Sequence, residues 1–122
     1  MPKKNPVTEK LADLVVQGML EKKAHNIVKI DLRNLTSAVT EIMIICHGDS
    51  DRQVTAIAES VVHEVKKNTG EHPFSKEGFS LGEWVLVDYV NVVVHVFKND
   101  MREFYALEDL WADGEIQEIT TD

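Results

Sequence analysis

The run Gly48-Asp49-Ser50-Asp51 holds the residue types of a nucleotidyl-transfer site, two carboxylates and a Gly-Ser pair set between an apolar strand-like run and a helical pattern. Two acids in such a place can hold a divalent cation against a triphosphate, and Asp88, on a neighbouring strand pattern, could supply a third. The spacing is compressed, however. Ser50 with Gln53 three residues later also matches a helix capping box, and Asp51 puts negative charge in the first turn, where the helix dipole favours it. Helix initiation accounts for these residues without a metal, so a nucleotidyltransferase-like enzyme using Asp49, Asp51 and Asp88 stands as the alternative reading.

Asp88 and His95 lie diagonally across a predicted hairpin, about 7 Å apart at the backbone and within side-chain reach. An Asp–His pair can orient a general base, yet the pattern places no Ser or Cys beside it. The single cysteine, Cys46, sits inside the apolar run Ile42-Met43-Ile44-Ile45-Cys46 and reads as an inert core thiol. His25, His47, His63, His72 and His95 show no metal-ligand spacing such as two histidines four apart on one helix face. There is no Gly-rich phosphate loop, and the aromatics are not interleaved with a basic patch. The expectation is a chain with no catalytic residue, no metal and no cofactor, in which Asp88 and His95 make a polar contact that fixes the hairpin and presents one group to a partner.

The hairpin itself spans Gly82 to Phe97, two runs of β-branched and aromatic residues meeting at Val90-Asn91. A two-residue turn there pairs Tyr89 with Val92, Asp88 with Val93, Val87 with Val94, Leu86 with His95, Val85 with Val96 and Trp84 with Phe97. One face then carries Val85, Val87, Tyr89, Val92, Val94 and Val96, as expected where a sheet packs on helices. The other carries Trp84, Leu86, Asp88, Val93, His95 and Phe97. A face made only for burial has little reason to include an Asp and a His, each of which costs a few kcal/mol to desolvate without a partner. These six residues are the expected partner-binding surface, with Trp84 and Phe97 as its anchor.

The elements that must position this hairpin follow from periodicity. Thr8 reads as the N-cap of a helix to about Lys23, with Leu11, Leu14, Val15, Gly18 and Met19 on one stripe. Ile27 to Leu32 alternates as a half-buried strand, and Ile42 to Cys46 reads as a central strand buried on both faces. Ser50 opens a helix with Val54, Ile57, Ala58, Val61 and Val65 inward and Gly70 at its C′ position. Glu71 to Leu81 reads as a loop. Asn99 caps a last helix through Met101, Phe104, Leu107 and Leu110, ending near Trp111, and Ala112 to Asp122 reads as an acidic mobile tail. The order predicts an α/β fold in one domain over 1–122, a mixed sheet of four or five strands with packed helices, and an ordered core over about 8–111.

Length and charge agree with this outline. The chain has 122 residues, which suits one core. It carries a net charge of −8, and residues 70–122 hold twelve acids against three bases. An acidic half of this kind disfavours direct RNA or DNA binding and would attract a basic protein partner. The N-terminal residues lack an apolar signal run, and no stretch approaches the roughly 20 apolar residues of a membrane span, so a cytoplasmic protein is expected.

Taken in order, Asp31-Leu32-Arg33, Ile44-Ile45-Cys46, Ser50-Asp51-Arg52-Gln53-Val54, Ala56-Ile57-Ala58, Glu77-Gly78, Gly82-Glu83-Trp84-Val85-Leu86, Asp88-Tyr89, Val92 to Phe97, Arg102-Glu103-Phe104-Tyr105, Leu107-Glu108 and Leu110-Trp111 closely resemble the ribosomal silencing factor family, also called the Iojap family. The resemblance covers roughly residues 8 to 111. It implies a mixed α/β fold similar to nucleotidyltransferases and a protein that is not an enzyme. It further implies binding to ribosomal protein fourteen of the large ribosomal subunit, at the surface where the small subunit docks, so that subunit joining and translation fall when nutrients are scarce. Little direct RNA contact is expected, and the resemblance leaves open whether the free protein is a monomer or a homodimer. The sequence departs from the family at the hairpin turn, usually Gly-Asp but here Val90-Asn91. His47 and Asp49 also replace smaller residues before the Ser-Asp-Arg-Gln motif.

Overall fold

A computed structural model describes residues 6–33, 40–100 and 115–119. Helix α1 spans Pro6–Glu21. Proline has no N–H and a fixed φ, both suited to a first turn, so the helix begins before Thr8. Thr8 is therefore not its N-cap. It is fully buried and its hydroxyl donates to Glu41 Oε2 at 3.2 Å. Leu11, Ala12, Val15 and Met19 form the buried stripe, as the helical period requires.

Helix α2, Asp51–Thr69, is built as its sequence predicts. Ser50 accepts from Gln53 N–H, Gly70 closes the C-terminus at φ 77, and Val54, Ile57, Ala58, Val61 and Val65 are buried. The Gln53 side chain does not complete the box on Ser50. Its Oε1 accepts from Asp49 N–H at 2.7 Å and its Nε2 reaches the carbonyls of Lys22 and Lys23, tying α2 to the end of α1. The two helices cross at Gly18, where a Cβ would stand 2.7 Å from Val61 Cα, and Ser60 donates to the Gly18 carbonyl at 2.8 Å.

Among the described residues six strands make one mixed sheet: β1 His25–Asp31, β2 Ile42–Gly48, β3 Ser75–Glu77, β4 Trp84–Asp88, β5 Val92–Lys98 and β6 Glu115–Ile119, in the order β3-β4-β5-β2-β1-β6. Of these six strands, β2 and β5 pair in parallel and the other neighbours pair antiparallel. β2 lies inside the sheet and Ile42 to Cys46 are all buried, as a continuous apolar run demands. In β1 the register slips between His25 and Val28, and Asn26 takes φ 48, a left-handed conformation that Asn tolerates better than most residues.

Two expectations from the sequence are corrected. Part of the stretch Glu71 to Leu81 forms the short strand β3 on the outer edge of β4, and part of the expected acidic tail forms β6 on the outer edge of β1. Both exist through backbone pairing with an edge, which exposed side chains do not announce. The described residues accordingly contribute six strands to the sheet, against the four or five expected. Asn99 and Asp100 are helical, but the rest of the last predicted helix lies outside the described residues.

Both faces of the sheet carry core. The helix-facing core joins the α1 and α2 stripes to Ile27, Ile42, Ile44, Cys46 and the valine row of the hairpin. On the other face Val28, Ile30, Leu32, Met43, Ile45 and Phe97 are buried together, with Trp84 packed against them. Full burial of such side chains contributes about 1.5–3 kcal/mol each.

Candidate partner-binding surface

The hairpin forms in the register that a two-residue turn dictates, with Trp84 opposite Phe97, Leu86 opposite His95 and Asp88 opposite Val93. Val85, Val87, Tyr89, Val92, Val94 and Val96 all point into the helix-facing core. The turn takes an uncommon route. Val90 has φ 76, and Asn91 N–H donates to the Tyr89 carbonyl at 3.0 Å, closing a three-residue γ-turn around Val90. A β-branched residue held there costs about 1–3 kcal/mol, which persists only where the surroundings over-determine the geometry.

Those surroundings come from distant parts of the chain. Asp88 Oδ1 accepts from Val90 N–H at 2.7 Å, and the Thr40 hydroxyl donates to the Val90 carbonyl at 2.9 Å. Asn91 Nδ2 donates to Thr8 Oγ1 at 3.0 Å, while the Asn91 carbonyl accepts from the backbone N–H groups of Glu41 and Ile42. The start of α1, the entry to β2 and the end of β4 thus hold one turn.

The six predicted surface residues separate by depth. Phe97 is 1% exposed and His95 5%, so both are buried in the free chain, whereas Trp84, Leu86, Asp88 and Val93 are half-buried. Trp84 stacks on Phe97 with ring centroids 5.2 Å apart, and its indole Nε1 donates to His95 Nδ1 at 2.9 Å. Indole has no acceptor, so His95 is neutral with its proton on Nε2. Burial pushes the imidazole pKa down to about 4, opposed by the Asp88 carboxylate. The expected Asp88–His95 polar contact does not form a hydrogen bond. Trp84 satisfies the histidine, and Asp88 turns instead to the backbone of the γ-turn.

The acids of the alternative enzymatic reading are not brought together. Asp88 aligns through Val93 with Met43, six residues before Asp49 along the β2 direction. At about 3.3 Å per residue this is roughly 20 Å, far beyond a shared cation. Asp49 Oδ2 meets His25 Nε2 at 2.9 Å, and Asp51 Oδ1 accepts from Arg52 N–H in the first turn of α2. A cleft of about 400 Å³ beside that turn is lined by Asp51, Arg52, Thr55, Ala56, Glu59, Ser80 and Leu81, without Asp49 or Asp88. Among the described residues no group of three His, Cys, Asp or Glu side chains could hold a metal ion.

Sequence reasoning missed one charged cluster. Arg33 Nη2 bridges Glu9 Oε1 and Asp31 Oδ2, both at 2.6 Å, and Lys29 adds a contact to Glu9 at 3.3 Å. The Arg33 guanidinium holds both carboxyls below their usual range, against the opposing effect of burial. Glu9 belongs to α1 and the others to β1 and its exit, so only the fold unites them. No helix among the described residues is long and apolar enough to cross a membrane.

Comparison with known proteins gives the same family as the motifs. Residues 5–122 match the family model described as ribosomal silencing factor during starvation. The chain is 39% identical over 114 residues to the ribosomal silencing factor of Halalkalibacterium halodurans, covering 91% of this chain and 93% of that one. It is 41% identical over 99 residues to the Bacillus subtilis protein of the same name, covering 81% and 82%. A crystal structure of a Chromobacterium violaceum protein superposes with a TM-score of 0.80 at 38% identity, covering 85% of each chain. With sequence, motifs and fold in agreement over most of its length, the chain belongs to the ribosomal silencing factor family.

Proposed function

We propose that this chain is a cytoplasmic translation repressor that acts by occupancy and not by catalysis. It binds the large ribosomal subunit through ribosomal protein fourteen and keeps the small subunit from joining when nutrients are limiting. The observation that carries the reading is the apolar step formed by Trp84, Leu86 and Val93 beside Asp88. Phe97 and His95 lie under it and fix the indole by stacking and a hydrogen bond. A rigid aromatic held half-open on a packed base is the kind of residue that dominates interface energetics. The excess of acids over bases in residues 70–122 suits a basic ribosomal protein.

The test is subunit joining with purified components. Stoichiometric protein slows joining without added nucleotide, and it co-sediments with isolated large subunits but with neither small subunits nor joined ribosomes. Unchanged joining at concentrations well above that of the subunits would falsify the proposal.

A further inference from the structure

We propose that Val90 is itself a contact residue of this partner surface, an apolar knob at the hairpin tip that seats in a recess on the ribosomal protein. The inference rests on the large-subunit reading above and adds a residue to it. In the free chain the Val90 side chain contributes little. Its backbone stands at φ 76, which opposes a β-branched residue, and its side chain is 59% exposed, so little burial offsets the strain. A glycine would satisfy the same backbone without that conflict.

The turn is nevertheless held firmly in this shape by Thr40, Asp88 and Asn91, and through Asn91 by Thr8, Glu41 and Ile42. Rigid support beneath an exposed apolar side chain is what an interface knob needs, because no ordering remains to oppose association. Val90 also adjoins the proposed surface. Asp88 reaches back to its N–H, and Val93, half-buried on the same face as Trp84, begins just beyond the turn. An apolar tip above a carboxylate fits an apolar recess with a basic rim, the chemistry expected of a ribosomal protein and not of bare RNA.

Two variants test it against purified large subunits, with binding expressed per folded molecule from circular dichroism. Val90→Gly removes the side chain and the strain. Val90→Thr keeps the shape and the strained backbone but replaces a methyl with a hydroxyl. The expected result is a thermal midpoint for Val90→Gly equal to or above that of the unmodified chain, with affinity at least threefold lower, and reduced affinity for Val90→Thr as well. A change of less than threefold for Val90→Gly overturns the assignment. So does a loss confined to Val90→Gly, which would place the effect in turn mobility. An unmodified chain that fails to co-sediment with large subunits overturns the underlying reading and this inference with it.

Discussion

The indole Nε1–H of Trp84 donates to Nδ1 of His95 across 2.9 Å, so a proton arriving on that nitrogen would set two donors against each other. The folded pKa is about 4 against an ordinary 6.5, so between these values the unfolded chain binds the extra proton. Stability is full above pH 6.5 and is lost as pH falls toward 4, by up to about 3 kcal/mol. Urea unfolding at pH 7.5 and 4.5 should show the unmodified chain losing more than His95→Gln over this interval. Equal losses would mean that His95 is not the titrating group.

Gly18 is where α1 and α2 touch. A methyl there meets Val61 Cα at 2.7 Å and the Ser60 carbonyl at 3.0 Å, both backbone, so the helices must separate. Gly18→Ala should destabilise by about 1–3 kcal/mol despite the better helix propensity of alanine. A midpoint in urea at or above that of the unmodified chain would contradict the close crossing.

Val94 and Val93 are chain neighbours that face opposite ways. Val94 is fully buried among the helices, so Val94→Ala should lower stability by roughly 1 kcal/mol or more with unchanged affinity per folded molecule. Val93 is half-buried on the Trp84 face, so Val93→Lys should weaken large-subunit binding by about tenfold, the effect of losing a central contact. Thermal denaturation beside a binding titration separates the two. The reverse pattern would exchange the roles of the faces.

Arg33 is the charge on which the Glu9–Asp31 cluster depends, and its side chain is only 7% exposed. Arg33→Met leaves two partly buried carboxylates without their main counter-charge and should cost about 2–4 kcal/mol, less than a fully buried pair because both acids keep some solvent. Both carboxyl pKa values are lowered in the folded chain, so the stability they contribute is present above their unfolded pKa values and lost as pH falls below about 4. The deficit of Arg33→Met against the unmodified chain should therefore shrink in acid.

Patterns set by burial were readable and patterns set by edges were not. The α2 stripe from Val54 to Val65, the doubly buried β2 and the alternation of the hairpin all follow from which side chains leave water. β3 and β6 follow from the unpaired backbone of β4 and β1, and their exposed side chains carry little signal. Within the candidate surface, a two-residue turn was enough to predict that Trp84 meets Phe97. Depth was not predictable, because Phe97 belongs to a buried cluster that gathers Met43 and Ile45 of β2 with Val28, Ile30 and Leu32 of β1 and its exit, all far away in sequence. The Asp88–His95 contact failed for a similar reason, since Trp84 offered a nearer donor and the strained Val90 turn claimed the carboxylate.

The pairing of β6 with β1 joins Glu115 to Asp31 and Ile119 to Ile27, closing the outer edge of a strand whose Ile27, Val28 and Ile30 are all buried. Removing residues from 112 onward would open a row of backbone donors and acceptors beside apolar side chains, a template for strands of other molecules. Glu115 and Glu118 on the present edge place charge where such stacking would begin. Charge on this edge disfavours such stacking, and loss of the segment should appear first as light scattering in concentrated solution.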